Sequence, residues 1–363
     1  MMPDLNQLSL FRVPPAPALL AYNAADQLIL NRIAASSMPK GRWLLVNDAF
    51  GALATALSDP EMDWWSDSAM ALEALARNTA ENRASMPRII GSSGELAAQY
   101  SQIIVLAPKS LALFDWQLGQ ISKRLEEGGE CWVSGMVKHL SSGHQKVMQQ
   151  HFRCINPGLA VKKARCVTLS DPIPNKADVN ARGYTVDGIS LVNLPGSFSE
   201  SRPDPGAMAF LTAFERLPGV DHFIDLGCGN GILALSYLHR HPAARAILID
   251  ESRQAVASAV ASAERNARHA EIHHANGIGD LNLSQVPLIL CNPPFHQSTT
   301  LTTDIAFSLF EQSARALASD GEFWVVGNRH LDYHKALGRW FKQVQAVSRH
   351  PKFVVFRCTW PKS

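Results

Sequence analysis

The chain has 363 residues, 46% hydrophobic and 18% charged, enough for about two domains with sizeable buried cores. Its 34 basic and 32 acidic residues leave a net charge of +2, so the total announces no nucleic-acid partner, and one would need a local basic surface. The six cysteines (Cys131, Cys154, Cys166, Cys228, Cys291 and Cys358) form no C-x-x-C pair, which argues against zinc and against a disulfide framework; no metal is expected. Met1–Gln7 shows no basic run leading into an apolar one, and no apolar stretch is long enough to span a bilayer. The expectation is a soluble cytoplasmic protein with reduced thiols.

After a proline-rich start at Val13–Pro17, Ala21–Ile33 has helical spacing. Arg42–Asn47 reads as a strand, followed by Asp48-Ala49-Phe50-Gly51 and an Ala/Leu helix. Met62–Ser66 is a strand, Ala69–Asn78 a helix, and Gln102–Leu106 a strand ending in Ala107-Pro108-Lys109. Leu113–Leu125 is a helix and Glu130–Val133 a strand. Strands alternating with helices argue for a parallel sheet covered on both faces.

The order then repeats. Phe223–Asp225 is a strand, Leu226–Gly231 a glycine-rich turn and Ile232–Leu238 a helix. Ala246–Ile249 is a strand ending in Asp250-Glu251, and Gln254–Ala267 an alanine-rich helix. Leu288–Leu290 is a short apolar strand stopped by Asn292-Pro293-Pro294-Phe295. Two prolines remove two donors and fix two φ angles, so the strand ends in a stiff lip. Ala306–Leu317 is amphipathic, Glu322–Val326 is a strand, and Phe341–Val347 with Lys352–Thr359 reads as a closing hairpin.

Three blocks align the halves. Asn47–Leu57 is set on Asp225–Leu235, Leu106-Ala107-Pro108 on Cys291-Asn292-Pro293, and Gly129–Gly135 on Gly321–Gly327. This is one domain copied, not a solenoid. In that alignment Ala49 replaces Gly227, Leu53 replaces Gly231, Ser66 falls near Asp250, and the first lip lacks both the amide and the aromatic ring. The first copy is therefore expected neither to bind a cofactor nor to catalyse.

In the second copy, glycines 227, 229 and 231 permit positive φ and close approach of a ligand to the backbone. Asp250, ending the next strand, suits both hydroxyls of a ribose. The lip suits a flat ligand with an exocyclic amine: an amide oxygen and a carbonyl accept its hydrogens while a ring stacks on its face. Taken alone, the lip also reads as a proline-rich turn with a core phenylalanine, and a glycine turn also serves dinucleotide dehydrogenases, though with G-x-G-x-x-G spacing.

The combination resembles the class I S-adenosylmethionine-dependent methyltransferases that modify exocyclic amines. That resemblance implies that Asp225, Gly227, Gly229 and Gly231 cradle the methionine part and that Asp250 holds the ribose. Asn276 is the candidate for the adenine, with ordinary turn chemistry as the alternative. An inactive copy fused to an active one is the layout of the bacterial RsmC/RlmG family of rRNA guanine-N2 methyltransferases. Blocks such as Asn47–Leu53, Lys109–Leu113, Lys162–Arg165, Cys291–Gln297 and Asn328–Tyr333 resemble its large-subunit branch. Phe198-Ser199 and Gly206 fit the family's lead-in to the second sheet, whereas Arg202-Pro203-Asp204-Pro205 departs from it, so Asp204 receives no cofactor role.

The resemblance implies two tandem Rossmann-like α/β domains, each a mostly parallel seven-stranded sheet with helices on both faces, divided as 1–170 and 171–363. It implies a monomer that methylates N2 of a guanine in 23S rRNA, naked or in a large-subunit assembly intermediate. Asn292, Pro293, Pro294 and Phe295 are the catalytic candidates, and Lys109, Lys138, Arg153, Lys162, Lys163 and Arg165 the RNA-capturing ones. For these basic residues, plain solvation on a connector is the competing reading. The alternatives for the whole chain are a small-subunit rRNA guanine, an adenine N6 or glutamine amide acceptor, and a non-catalytic RNA-binding protein that kept the fold.

Overall fold

The computed structural model describes residues 4–16, 18–36, 40–174, 180–293 and 300–362. It divides into two units, Met1–Asn180 and Ala181–Ser363. In the first, β1 (Trp43–Val46), β2 (Asp63–Trp65), β3 (Arg88–Ile90), β4 (Tyr100–Leu106), β5 (Leu125–Met136), β6 (Phe152–Pro157) and β7 (Ala164–Pro172) form one sheet in the order β3-β2-β1-β4-β5-β7-β6. The expected seam at 170/171 falls inside β7, so the first unit runs on past it.

The second unit opens with a hairpin of β8 (Arg182–Val186) and β9 (Ile189–Asn193). Its sheet is built from β10 (His222–Leu226), β11 (Arg245–Asp250), β12 (Glu271–His274), β13 (Val286–Cys291), β14 (Leu317–Asn328), β15 (Phe341–Arg349) and β16 (Phe353–Pro361), in the order β12-β11-β10-β13-β14-β16-β15. Both sheets thus have seven strands in the same order, and in each a single strand, β7 or β16, runs antiparallel to its two neighbours. The expected fold class is what the chain adopts.

Helices α1 (Ala24–Ala35), α2 (Ala52–Leu57), α3 (Ala69–Glu81), α4 (Leu111–Ser122) and α5 (Ser142–His151) serve the first unit. Helices α6 (Pro205–Leu211), α7 (Ile232–Arg240), α8 (Arg253–Arg265), α9 (Thr300–Ala316) and α10 (Tyr333–Leu337) serve the second. Several starts are written in the sequence: Ser68, Ser110, Asp204 and Ser252 each accept a first-turn N–H through the side chain. Alternate strand residues feed the two faces of each sheet. Leu44 and Val46 enter one cluster while Leu45 enters the other; Ile224 and Leu226 face away from Phe223.

The pattern misses three pieces. Strand β3 has only three residues, one of them Arg88, which pairs with buried Asp63 at 2.5 Å. The β6–β7 hairpin, read as a basic connector, closes the first sheet as β15–β16 closes the second. The β8–β9 hairpin is held by side chains of α8 instead of by a sheet. Backbone N–H groups of Ser190, Val192 and Leu194 donate to Asn266, Ser262 and Ser258 at 2.9–3.0 Å. Every second strand residue meets every fourth helix residue, because two strand residues and four helix residues both rise about 6–7 Å.

Hydrogen-bond register also corrects the alignment of the copies. Asn47 N donates to Trp65 O at 2.9 Å, and Gly227 N to Ile249 O at 2.8 Å; Val46 pairs with Trp65 as Leu226 pairs with Ile249. Gly51 and Gly231, at φ 68° and 83°, each precede the next helix. So Leu45 stands for Asp225, Asn47 for Gly227, Ala49 for Gly229 and Gly51 for Gly231, two residues away from the sequence alignment. At the lip, Ile104 faces Trp132 as Leu290 faces Trp324, so Leu106 stands for Asn292, a shift of one. The Gly129–Gly135 block holds as aligned, and in both copies its tryptophan Nε1 donates to the preceding glutamate, at 2.6 Å in the first and 2.7 Å in the second.

Candidate active site

The site forms where β10, β11 and β13 end. Gly227, Gly229 and Gly231 have φ of 73°, 56° and 83°, in the left-handed region that side chains disfavour. They do different jobs. A Cβ on Gly231 would point at Leu248, Leu235 and Ala259, so this glycine serves the entry to α7, and the first copy keeps it as Gly51. Among the described residues, a Cβ on Gly229 would have nothing within 4 Å, and one on Gly227 would meet only the Asn292 carbonyl oxygen, at 3.8 Å. These two glycines open a space between the turn and the lip.

Asp250 clamps the turn. Its Oδ2 accepts from Gly229 N at 2.8 Å and its Oδ1 from Ser252 N at 2.9 Å, which holds the half-buried carboxylate at the mouth of the space. Asp225 is wholly buried; Oδ2 accepts from Ala234 N at 2.9 Å in the first turn of α7. Its Oδ1 is enclosed without a hydrogen-bond partner among the described residues. Burial pushes the Asp225 carboxyl up to about 7, and neighbouring Asp250 adds to that. Burial also holds the thiols of Cys228 and Cys291 well above their ordinary range, so neither is a nucleophile.

Asn292 lies just past the last pair of β13, Cys291 with Val325. Its Nδ2 donates to Asp204 Oδ2 at 3.0 Å, while its buried Oδ1 has no partner among the described residues. Pro293 is buried beside it; Pro294 and Phe295 lie outside the described residues. Asn276 is half-buried in the loop after β12, and that loop is pinned from α9: Gln312 Oε1 accepts from Ile278 N at 2.7 Å and Gly279 N at 3.2 Å.

Four residues of the site escape the sequence reading. Asp204 caps α6 and bonds Asn292. Asn230, inside the glycine turn, donates to Tyr184 Oη and Asn193 Oδ1, both at 2.9 Å, which ties the turn to the β8–β9 hairpin. The D-P-G start of a helix was a legible cap signal for Asp204; the rest depends on a hairpin that was not foreseen.

These features fit S-adenosylmethionine. Open backbone at two positive-φ glycines admits a ligand, and the sealed Asp225 Oδ1, an acceptor without a donor among the described residues, matches a group that brings donors and positive charge. In the first copy the same space is filled. Asn47 Nδ2 donates to Leu106 O at 3.2 Å and to Gln117 Oε1 at 2.8 Å, and Gln117 Nε2 returns a bond to Asn47 Oδ1 at 2.9 Å. A reciprocal amide pair thus occupies the position that open glycine takes in the second copy.

The basic candidates divide. Lys109 follows β4, Lys138 follows β5, and Lys162 and Lys163 precede β7, where Lys163 O accepts from Val137 N at 2.8 Å. Burial, then the charges of Lys138 and Lys109, lower the pKa of His139. Arg165 is half-buried on β7, and Arg153 is paired with Asp171 at 3.0 Å. Asn328 ends β14, and Arg329 and His330 form a short turn with no buried residue. Among the described residues no cluster is suited to a metal ion, and no helix is long and apolar enough to cross a membrane.

Residues 188–357 match the family model "Methyltransferase small domain", and residues 2–172 match "RLMG N-terminal domain". Among curated relatives, the ribosomal RNA large subunit methyltransferase G of Pseudomonas paraeruginosa (strain DSM 24068 / PA7) is 35% identical, with 97% of both chains covered. That of Stutzerimonas stutzeri (strain A1501) is 34% identical over 96% of each chain. A solved structure of the T. thermophilus 16S rRNA N2 G1207 methyltransferase RsmC, in complex with AdoMet and guanosine, superposes with a TM-score of 0.78. It is 19% identical and covers 93% of this chain and 92% of its own, a likeness of fold.

Proposed function

This chain belongs to the ribosomal RNA large subunit methyltransferase G family, and on that premise we propose that it moves a methyl group from S-adenosylmethionine to the exocyclic N2 of a guanine in 23S rRNA. The observation that carries the choice of an amine is the Asn292 amide beside the glycine turn, whose enclosed Oδ1 lacks a donor among the described residues. A guanine N2 brings two hydrogens. Asn292 Oδ1 and the Pro293 carbonyl accept them, which turns the delocalised lone pair out of the ring plane and towards the methyl. Phe295 stacks on the base, worth about 1–3 kcal/mol, and Pro294 stiffens the lip. The cofactor, when bound, supplies an electrophilic methyl on a cationic sulfur. Gly227 and Gly229 admit it against the backbone, Asp225 and Asp250 accept from its ammonium and ribose hydroxyls, and Asn276 meets its adenine. As the N–C bond formed, the C–S bond would break and leave a neutral thioether, and the methylated nitrogen, made acidic by its positive charge, would release its extra proton to solvent. In-line alignment is the main catalytic contribution of the chain, so no strong general base is assigned.

The first unit captures the RNA. Lys109, Lys138, Lys162 and Lys163 gather at the end of its sheet where β4 and β5 finish and β7 begins, with Arg165 nearby, and they supply the local basic surface that a net charge of +2 does not. Arg153 contributes less, being neutralised by Asp171. The protein acts as a monomer in the cytoplasm, on naked rRNA or a large-subunit assembly intermediate.

Mass spectrometry of rRNA nucleosides from cells lacking the gene tests this. One N2-methylguanosine should vanish from 23S rRNA and return on complementation. Its loss from 16S rRNA instead would favour the small-subunit reading, and unchanged methylation together with no cofactor binding would favour a non-catalytic RNA binder.

A further inference from the structure

We propose that Asp204 is a positioning residue that sets the hydrogen-bonding polarity of Asn292, and with it the demand for an amine as methyl acceptor. This rests on the proposed function. Asp204 is buried at the N-terminus of α6, and its Oδ2 accepts from Ala207 N at 2.8 Å and Asn292 Nδ2 at 3.0 Å. A carboxylate oxygen already held by a backbone N–H offers a neighbouring amide only an acceptor. Asn292 must turn Nδ2 towards it. The opposite rotamer would set Oδ1 against a carboxylate oxygen in a buried place.

With Nδ2 committed, Oδ1 is the atom left for the substrate, and it is the enclosed atom without a partner among the described residues. A free asparagine could present either end and accept an amine or donate to a carbonyl or ring nitrogen equally well. Asp204 removes that choice. It also fixes the lip to a helix rooted in the core: α6 begins with Pro205, and its Phe210 is 0% exposed. The residue sits 88 positions from Asn292, so only folding brings the two together.

Two substitutions separate positioning from capping. Asp204→Asn keeps a good N-cap but offers either polarity to Asn292; Asp204→Ser keeps the cap and is too short to reach the amide. Methyl transfer to rRNA, cofactor affinity by calorimetry and the unfolding midpoint are measured for each, alone and with Asn292→Ala. Both single variants should lose about ten- to a hundred-fold in kcat, with cofactor Kd and unfolding midpoint unchanged. Neither should lower the residual rate of Asn292→Ala further, because both act through one amide. Wild-type kcat in the variants, additivity with Asn292→Ala, or losses that track the unfolding midpoint would each overturn the positioning role while leaving the function intact. A wild-type chain that methylates no rRNA guanine would overturn both.

Discussion

Two amides, one beside each turn, do opposite things here. Asn47 folds its side chain back onto Leu106 and Gln117; Asn292 keeps an enclosed acceptor without a partner among the described residues. Replacing Asn292 with alanine should therefore cut turnover to a small residual rate while calorimetry finds cofactor affinity near wild type; turnover near wild type would refute its role. Asp48 gives a second residue-scale prediction. It is sealed in the first unit, with Oδ2 accepting from Ala54 N at 2.9 Å, and burial, then the nearby Asp26, push its carboxyl from 3.8 up to about 7. Between those values the folded chain keeps a proton that the unfolded chain releases, so stability from this group falls as pH rises and levels off above about 7. Asp48→Asn removes that titration. The unfolding free energy of the variant should gain on that of wild type between pH 4 and 7, by an amount on the order of a few kcal/mol; parallel pH curves would contradict it.

At the scale of elements, the strand-turn-helix of β10, Leu226–Gly231 and α7 joins structural and functional glycines that one motif does not distinguish. Gly231 faces core side chains and Gly229 faces open space. Alanine at 229 should cost about 1–2 kcal/mol of stability from its left-handed φ. Its methyl group would stand where the cofactor is to lie, so affinity should fall about ten-fold or more. A thermal scan and calorimetry on the same sample check this, and an unaltered Kd would remove Gly229 from the cradle. The glycine turn and the end of β13 at Asn292-Pro293 were legible because glycine and proline state their backbone demands directly. The β8–β9 hairpin was not, because its amides are satisfied by Ser258, Ser262 and Asn266 on a helix more than sixty residues away.

For the whole molecule, duplication supplies two sheets of one topology, each with its own pair of hydrophobic clusters. Differential calorimetry should resolve two unfolding transitions, and S-adenosylmethionine should raise only one of them, by mass action on the state that binds it. Removing residues 1–180 should leave the cofactor-sensitive transition and cofactor affinity while weakening rRNA binding. A shift of both transitions by the cofactor, or full rRNA methylation by residues 181–363, would count against the division of labour proposed here.

Composition, alternation and the punctuation of glycine and proline determined on their own that this chain is a doubled α/β protein whose copies differ at the glycine turn. Those signals are local, since each residue announces the φ angle, donor or face it needs. Tertiary structure alone decided the register between the copies, two residues off at the glycine turn and one at the lip, because register is a matter of backbone hydrogen bonds between distant strands. It alone also brought Asp204 to Asn292, since the demand of a buried amide for an acceptor can be met from any part of the chain that the fold delivers.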